Sequence, residues 1–234
     1  MKCLLLAGGF GTRMYPLTQR IPKPLLKINN KPVITYLVKK VPPDIDIVVS
    51  TNKRYEADFL EWQKGLSRGV DIFIEDVFGE KDKPGAISSI DLFIRSKNVS
   101  DDLLIIAGDN YFNFSLPDFI KTYNGRNALV AIHDIGDTAK AREFGVVKLE
   151  GNRIVELREK PAQPSSSLIA TACYIFPSRI FGLLAEYCAD KMRDNLGVFI
   201  SYLLEREEVQ AYVFDEEWFD IGSLDPLERK RLNI

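Results

Sequence analysis

The sequence predicts an α/β fold with a mostly parallel central sheet and a β-hairpin in its second half. Short runs of β-branched and aliphatic residues alternate with amphipathic stretches, the pattern of strand–helix–strand units that feed a buried sheet. After about residue 143, two short apolar runs flank a turn at Glu150-Gly151-Asn152, which is typical of a hairpin. No linker rich in proline, glycine or serine divides the chain, so we expect a single domain over residues 1–234, with halves at 1–142 and 143–234.

The first half alternates predicted strands and helices. Strands are expected at residues 2–7, 46–50, 70–74, 103–107 and 128–133, and helices are expected to begin near residues 32, 55, 86 and 116. Pro32 suits the first turn of a helix, and Pro42-Pro43 ends that helix. In the second half we expect hairpin strands at 144–149 and 153–157, a strand at 168–176, helices at 178–187 and 198–205, a strand at 209–214 and a short helix from about 223.

The composition excludes several classes of protein. Of 234 residues, 46% are hydrophobic and 27% are charged, which is ordinary for a globular domain and leaves no room for extensive disorder. A net charge of -2 argues against nucleic acid or a membrane surface as a partner, and no apolar stretch reaches the roughly 18 residues of a membrane span. Cys3, Cys173 and Cys188 lie far apart without a C-x-x-C pair, so we expect free thiols in a reducing, cytoplasmic environment.

A glycine-rich loop, Gly8-Gly9-Phe10-Gly11-Thr12-Arg13, follows the first predicted strand. Glycines at the carboxyl end of a buried strand free backbone N–H groups to face an anion, at the sheet edge where open α/β folds bind ligands. The loop is not a dinucleotide fingerprint, because Met14 stands where the third glycine is required. It is not a P-loop either, because Thr12-Arg13-Met14 stands where that motif needs Gly-Lys-Ser/Thr. A Rossmann-type oxidoreductase is therefore disfavoured.

The segment from Gly8 to Pro24 is predicted to form a long functional loop without helix. Its prolines interrupt any helical pattern, and long structureless loops within compact domains are usually functional. Lys23 lies between Pro22 and Pro24, so we expect its backbone to be extended. Arg13 and Lys23 would then place two cations beside the glycines.

The run Gly8-Gly9-Phe10-Gly11-Thr12-Arg13-Met14-Tyr15-Pro16-Leu17-Thr18, with Pro22-Lys23-Pro24-Leu25 and Lys31-Pro32, resembles the signature loop of the sugar-1-phosphate nucleotidyltransferases. The resemblance covers nearly the whole chain and implies a three-layer, Rossmann-like nucleotidyltransferase fold. It implies that Arg13 holds a nucleoside triphosphate and that Lys23 neutralises phosphate charge at the reacting centre. The nucleotide-binding residues that it implies are Leu6, Ala7, Gly8, Gly9, Gly11, Thr12, Arg13, Lys23 and Gly85.

Two aspartates are candidate metal ligands. Asp109 follows the apolar strand 103–107, where a carboxylate can hold a hard divalent cation or cap the next turn. Asp220 lies among apolar neighbours in Trp218-Phe219-Asp220-Ile221-Gly222, where a buried carboxylate needs a cation or hydrogen-bond donors. The resemblance implies that both aspartates share one Mg²⁺ with the triphosphate and that Asp109 is catalytic.

Arg158-Glu159-Lys160-Pro161, taken alone, is typical of a surface turn. Its order after Phe144-Gly145-Val146-Val147 and before Thr171-Ala172-Cys173-Tyr174 resembles the sugar-phosphate half of the family. The resemblance implies that Glu159 takes sugar hydroxyls and that Lys160 takes the sugar phosphate and is catalytic. The sugar-phosphate-binding residues that it implies are Asn110, Gly145, Glu159, Lys160 and Thr171.

These features predict an enzyme that transfers a nucleotidyl group from a nucleoside triphosphate, dTTP or UTP, to a sugar-1-phosphate, with glucose-1-phosphate as the first choice. Sugar phosphates are already largely dianionic at neutral pH, so the chemistry needs no strong base and a single histidine is no obstacle. Two departures limit the choice of substrate: Ala172 stands where many thymidylyltransferases have glycine, and the segment around Gly85 matches the base loop only loosely. A choline-phosphate cytidylyltransferase and a non-catalytic nucleotide sensor of the same fold remain alternatives.

Overall fold

The structure, a computed structural model, describes residues 1–82, 84–190 and 195–224. The chain forms two compact units that interleave along the sequence. Within the described residues, the first unit comprises 1–82, 106–116 and 217–224, and the second comprises 84–105, 117–190 and 195–216. The single domain with halves at 1–142 and 143–234 stays a prediction. The short helix expected from about residue 223 falls mainly outside the described residues.

The secondary structure follows the predicted alternation in most places. The strands are β1 (Lys2–Leu6), β2 (Lys27–Ile28), β3 (Lys31–Pro32), β4 (Asp46–Asn52), β5 (Asp71–Glu75), β6 (Leu103–Ala107), β7 (Asn110–Phe112), β8 (Ala128–Asp134), β9 (Gly145–Glu150), β10 (Arg153–Glu159), β11 (Leu168–Phe176), β12 (Val209–Phe214) and β13 (Trp218–Asp220). The α-helices are α1 (Val33–Lys40), α2 (Glu56–Lys64), α3 (Ala86–Lys97), α4 (Leu116–Thr122), α5 (Thr138–Ala141), α6 (Phe181–Ala189) and α7 (Leu196–Leu204). Short 3₁₀ turns lie at Thr12–Met14, Leu17–Gln19, Lys23–Leu25, Lys53–Tyr55, Ser178–Ile180 and Ile221–Ser223.

The first unit contains strands in the order β5-β4-β1-β6. Only the part of β6 from Ile106 onward belongs to this unit. β1 pairs with β4 in parallel, with Lys2 opposite Asp46, and β4 pairs with β5 in parallel. Leu4 and Leu5 on β1 are fully buried, as expected for a strand covered on both faces. Parallel pairing brings the carboxyl ends of β1, β4 and β5 to one edge, and the glycine loop begins at that edge.

The second unit contains strands in the order β6-β11-β8-β12-β10-β9, with a further pairing between β11 and β9. β8 and β12 are parallel, whereas β11 pairs with β8, and β10 pairs with β12 and β9, in antiparallel fashion. Helix α7 is tied to β10, since the Ser201 hydroxyl donates to the Leu157 carbonyl at 2.6 Å. The antiparallel pairing of β9 with β10 is the predicted hairpin around Gly151.

The α/β class is confirmed, and the predicted strands and hairpin all form with small differences at their ends. The mostly parallel, three-layer arrangement stays a prediction, since the second unit mixes both strand directions. Strand β13 was not predicted from the sequence. It is only three residues long and pairs in antiparallel fashion with β7 in the first unit, through Asp220 opposite Asn110.

The expectation for the backbone of Lys23 is wrong. Lys23 begins a 3₁₀ turn instead of being extended, and the loop that follows β1 contains three such turns before residue 26. The Leu25 N–H donates to the Pro22 carbonyl at 2.9 Å, and the Leu26 N–H donates to the Lys23 carbonyl at 3.0 Å. These turn bonds outweigh the usual preference of a residue before proline. The loop lacks α-helix, as predicted, but it is not structureless.

Cys3, Cys173 and Cys188 form no disulfide in the part of the chain that the structure describes. Cys3 and Cys173 are buried and Cys188 is partly exposed. Burial raises the pKa of the Cys3 thiol, so this group stays protonated at neutral pH. The cytoplasmic location stays a prediction. Among the helices of the described residues, none combines the length and apolar character needed to cross a membrane.

Candidate active site

Gly11 fixes the path of the glycine loop directly after β1. Its φ is +64°, in the left-handed region that favours glycine, and a Cβ at this position would lie 2.9 Å from Cγ of Lys23. The buried Thr18 hydroxyl donates to the Gly11 carbonyl at 2.6 Å. The Asn52 side-chain amide donates to the Gly8 carbonyl at 2.9 Å. The loop is thereby bound to its own later residues and to the end of β4.

Gly108 places Asp109 at the same edge of the first unit. The Gly108 N–H donates to the Leu6 carbonyl at 2.8 Å, and a Cβ on Gly108 would lie only 2.9 Å from that oxygen. A larger residue would therefore separate the end of β6 from the end of β1. Asp109 follows Gly108 directly, so its backbone lies beside the end of β1, just before Gly8.

Lys23 and Asp109 form an ion pair in the first unit. The Lys23 ammonium lies 3.3 Å from Oδ2 of Asp109, and the two side chains are only 12% and 26% exposed. At that degree of burial the pair is screened less than a surface salt bridge. The predicted cation and the predicted carboxylate are therefore neighbours.

Asp220 reaches this pair through the two short strands β7 and β13. Besides the register between Asp220 and Asn110, the Ile221 N–H donates to the Asp109 carbonyl at 3.1 Å. Oδ1 of Asp220 accepts from the Gly222 N–H at 2.6 Å. Residues 109 and 220, which are far apart in sequence, are thereby held side by side.

The charge of Asp220 is unfavourable without an additional cation. Desolvation by burial raises the pKa of Asp220 to about 6, and the Asp109 carboxylate adds to this rise. The Lys23 ammonium and the Gly222 N–H oppose it, and the Arg13 guanidinium opposes it more weakly. Three predicted site residues of the first unit, Arg13, Lys23 and Asp109, thus act electrostatically on Asp220.

The two carboxylates fit a hard divalent cation. Mg²⁺ is typically held by one or two carboxylates together with substrate phosphates and water, rather than by a full protein cage. Asp109 and Asp220 supply this number of oxygen ligands, and a bound cation would offset the burial and the Asp109 charge that raise the pKa of Asp220. Within the described ranges no group of three or more His, Cys, Asp or Glu side chains forms a complete metal site.

The other residues predicted to bind nucleotide differ in their burial and in the unit to which they belong. Ala7 is buried and donates its N–H to the Ser50 carbonyl at 2.7 Å, whereas Gly9 and Thr12 are exposed. Leu6 ends β1 and is partly exposed. Gly85 belongs to the second unit, where it is the residue immediately before helix α3. Their roles stay predictions.

A second group of predicted residues lies together in the second unit. The Glu159 side chain is 20% exposed, and its Oε1 lies 3.9 Å from the ammonium of Lys160, whose side chain is 48% exposed. Lys160 has a φ of +48°, and its N–H donates to the Phe144 carbonyl at 2.9 Å. A Cβ on Gly145 would lie 3.1 Å from Oε2 of Glu159. Gly145, Glu159 and Lys160 are thus brought together.

The two other residues predicted to bind the sugar phosphate have hydrogen-bond partners within the protein. The Thr171 hydroxyl is buried and donates to the Ala131 carbonyl at 2.9 Å, a contact that joins β11 to β8. Asn110 is buried in the first unit, where its Oδ1 accepts from the Trp218 indole N–H at 2.8 Å. Both side chains have structural partners, and their roles toward a sugar phosphate stay predictions.

Several supporting residues were missed in the sequence. Thr18 stands in the signature run, but its hydrogen bond to Gly11, that of Asn52 to Gly8 and the close approach of Gly108 to Leu6 depend on the tertiary structure. Gly222 carried a signal, since it ends the Trp-x-Asp-x-Gly segment. Asn195 lies near Glu159 because of its position before helix α7, a position that the predicted helix start at residue 198 did not indicate.

A comparison with protein families matches residues 2–233 to the family described as nucleotidyl transferase. The chain belongs to the nucleotidyl transferase family. The resemblance to sugar-1-phosphate nucleotidyltransferases is confirmed at the level of this family.

Individual relatives of this family share about a quarter to a third of their residues with the chain. The bifunctional protein GlmU of Methanocaldococcus jannaschii is 30% identical over 227 residues, which are 95% of this chain and 51% of the relative. A glucose-1-phosphate thymidylyltransferase of Streptomyces antibioticus is 27% identical over 243 residues, 99% of this chain and 65% of the relative. The chain therefore spans about half to two thirds of the length of these two relatives.

Solved structures show the same α/β fold. A Bacillus anthracis protein provisionally named a glucose-1-phosphate thymidylyltransferase, in complex with a sucrose, has a TM-score of 0.84 and 25% identity, covering 100% of this chain and 94% of its own. A UDP-glucose pyrophosphorylase complexed with UDP-glucose has a TM-score of 0.76 and 23% identity, covering 94% and 93%. At such identities the second likeness supports the fold alone.

Proposed function

We propose that this nucleotidyl transferase transfers a nucleotidyl group from dTTP or UTP to a sugar-1-phosphate, with glucose-1-phosphate as the first choice, and releases pyrophosphate. The observation that carries the proposal is the Lys23–Asp109 ion pair with Asp220 beside it, next to a glycine loop, in the first unit. With this function we also propose the three-layer, Rossmann-like arrangement that is expected of the family.

The reaction joins two anions, so the protein has to reduce their repulsion and align them. An oxygen of the sugar phosphate forms a bond to the α-phosphorus of the triphosphate, and the bond from that phosphorus to the pyrophosphate oxygen breaks. The attacking phosphate is already largely dianionic at pH 7, so no protein base has to remove a proton. The main obstacles are charge repulsion and alignment, which positioned cations and backbone donors overcome.

The residues of the first unit suit the triphosphate. We propose that the N–H groups of Gly8, Gly9 and Gly11 and the Arg13 guanidinium bind its phosphates. Lys23 is held by Asp109 at 3.3 Å, so its ammonium is oriented before the substrate arrives. Its role would be to compensate charge that develops on the reacting phosphate.

Asp109 and Asp220 would hold Mg²⁺ in this proposal. The ion, when bound, would supply charge compensation to the triphosphate. The carboxylates themselves are prearranged by the pairing of β7 with β13 and by the Gly222 N–H. We propose magnesium because both candidate ligands are carboxylates. The cation would also offset the burial and the Asp109 charge that raise the pKa of Asp220.

The residues of the second unit suit a sugar phosphate. We propose that the Glu159 carboxylate accepts hydrogen bonds from sugar hydroxyls and that the half-exposed Lys160 ammonium binds the phosphate. The choice of a glucose derivative is supported by the names of two relatives, a glucose-1-phosphate thymidylyltransferase and a protein provisionally named one. These names favour dTTP, and UTP is kept as the second candidate.

The test is a matrix of five nucleoside triphosphates against several sugar-1-phosphates and phosphocholine, with Mg²⁺, read by pyrophosphate release. We expect release with dTTP or UTP and glucose-1-phosphate. Release confined to CTP and phosphocholine would replace the sugar assignment with a choline-phosphate cytidylyltransferase. Nucleotide binding without pyrophosphate release for any acceptor would overturn the enzymatic function and support a non-catalytic nucleotide sensor.

A further inference from the structure

We propose that Asn195 is a positioning residue that orients the Glu159 carboxylate for sugar hydroxyls. The inference rests on the proposed function, which assigns sugar hydroxyls to Glu159 but gives no role to Asn195. Both residues belong to the second unit. Glu159 ends strand β10, and Asn195 precedes helix α7, which packs against that strand.

The Asn195 side chain makes two hydrogen bonds with different purposes. Its Oδ1 accepts from the Gly197 N–H at 2.8 Å and so caps the start of α7. Its Nδ2 donates to Oε1 of Glu159 at 3.0 Å. The first bond fixes the rotamer of the amide, and the fixed amide then presents its donor to the carboxylate. A cap that served only the helix would need the first bond alone.

Two glycines leave room for the carboxylate in this orientation. A Cβ on Gly197 would collide with Oε2 of Glu159, and a Cβ on Gly145 would lie 3.1 Å from the same oxygen. Oε2 is therefore bounded by Gly145 on β9 and Gly197 on α7, while Oε1 is held by Asn195. Both oxygens of Glu159 are defined by neighbouring backbone or by the amide, although the side chain remains 20% exposed.

The charges around Glu159 leave its acceptor capacity available. The Lys160 ammonium is 3.9 Å from Oε1 and half exposed, so it lies at the limit of an ion pair and remains accessible to a phosphate. The Tyr174 ring is buried, and the pKa of its hydroxyl is raised by burial and further by the Glu159 carboxylate. An ionised carboxylate offers about four acceptor positions, of which Asn195 occupies one. The others suit adjacent hydroxyl donors on a sugar.

Two substitutions separate orientation of Glu159 from capping of the helix. Asn195→Ser and Asn195→Asp both keep an oxygen that can cap α7, and both lose the Nδ2 donor. We expect nearly unchanged thermal stability, an unchanged KM for the nucleoside triphosphate and a KM for glucose-1-phosphate raised by about 10-fold for Asn195→Ser. Asn195→Asp should raise that KM further, because it places a second negative charge beside Glu159. In a Glu159→Gln background, Asn195→Ser should add no more than a small further rise.

The matched control is Asn127→Ser. Asn127 also donates an amide to a carboxylate of the second unit, Oε1 of Glu208 at 3.0 Å, but on an exposed surface without predicted site residues. It should leave both KM values unchanged. Equal rises in both KM values for the Asn195 variants, or a rise that only follows lost stability, would reduce Asn195 to a helix cap. An unchanged KM for glucose-1-phosphate would overturn the proposal directly.

A measurement without turnover separates this inference from the proposed function. We expect the side-chain amide signals of Asn195 in ¹⁵N NMR spectra to shift on Glu159→Gln and on addition of glucose-1-phosphate. If the wild-type protein released no pyrophosphate from any substrate pair, the proposed function would fail, while these signals would still decide the pairing. If the Asn195 side-chain signals did not shift on Glu159→Gln, the positioning role of Asn195 would be overturned, whatever the activity.

Discussion

The Lys23 ammonium lies 3.3 Å from the Asp109 carboxylate, although 86 residues separate them in the sequence. Lys23 arrives from a 3₁₀ turn in the loop after β1, and Asp109 arrives from the end of β6. A Cβ on Gly11 or Gly222 would collide with the Lys23 side chain, and a Cβ on Gly108, next to Asp109, would collide with the Leu6 carbonyl. The pair is therefore supported by backbone geometry.

Asp109→Asn should leave the fold nearly intact and lower kcat by about 100-fold or more. The amide keeps the shape of the carboxylate but loses the charge that pairs with Lys23 and that would hold the metal. Circular dichroism and steady-state pyrophosphate release would measure the two effects. Asp118→Asn, on an exposed side chain of α4, is the control and should leave both unchanged. Normal turnover in Asp109→Asn would remove this residue from the mechanism.

Gly222→Ala should displace the Lys23 side chain. The added Cβ would lie 2.5 Å from Nζ of Lys23, so the ammonium has to move away from its present position. Because catalysis depends steeply on alignment, we expect kcat to fall by about 10- to 100-fold. The matched control is Gly182→Ala on the exposed face of α6, where a Cβ meets nothing within 4 Å. Equal activities of the two variants would show that the contact with Gly222 does not matter.

Ala172→Gly should raise the free energy of unfolding by about 0.5 to 1 kcal/mol. Ala172 has a φ of +54°, in the left-handed region that costs an L-residue roughly 1 to 2 kcal/mol and costs glycine almost nothing. Part of this gain is offset by the larger conformational freedom of glycine in the unfolded chain. Urea denaturation would measure the change. Ala170→Gly, two residues earlier on β11, lacks the positive φ and should destabilise instead. A loss of stability in Ala172→Gly would show that the backbone conformation of Ala172 is not strained.

Asp220→Asn should stabilise the metal-free protein above pH 6 and not at pH 4. Burial, reinforced by Asp109, raises the pKa of Asp220 to about 6, above its value of about 3.9 in the unfolded chain. The folded state therefore binds the proton more tightly, so wild-type stability falls as the pH rises from about 4 to about 6, and the variant lacks this loss. Urea denaturation in a chelator should show a difference of about 1 to 2 kcal/mol at pH 7.5. An equal difference at both pH values would contradict the titration.

Lys160→Ala should chiefly raise the KM for the sugar-1-phosphate. Its ammonium is half exposed and only weakly paired with Glu159, so it is available to a phosphate. We expect a rise of about 10-fold or more, measured with the nucleoside triphosphate at saturation. Lys148→Ala, on an exposed position of β9, is the control. A change confined to the KM for the triphosphate would contradict the assignment of Lys160 to the sugar phosphate.

The sequence predicted the α/β class and most of the strands because these depend on local patterns. Apolar runs such as residues 103–107 identify strands, and glycines and aspartates at strand ends identify ligand-binding edges. The backbone of Lys23 could not be predicted in this way. Hydrogen bonds within its 3₁₀ turn override the local preference of a residue before proline.

Long-range contacts account for most of what the sequence did not show. Strand β13 is too short for a periodic signal and exists through its pairing with β7. Asn195 gains its place beside Glu159 from the packing of α7 on β10. The hydrogen bond from the Thr171 hydroxyl to the Ala131 carbonyl joins β11 to β8, and no local pattern indicates it.

The interleaving of the two units has a consequence for biosynthesis. Strand β13, which carries Asp220, is translated after every described segment of the second unit, although it belongs to the first. A nascent polypeptide that has emerged from the ribosome only as far as residue 216 therefore lacks the partner of β7 and one of the two carboxylates. The first unit can be completed only after synthesis of the second.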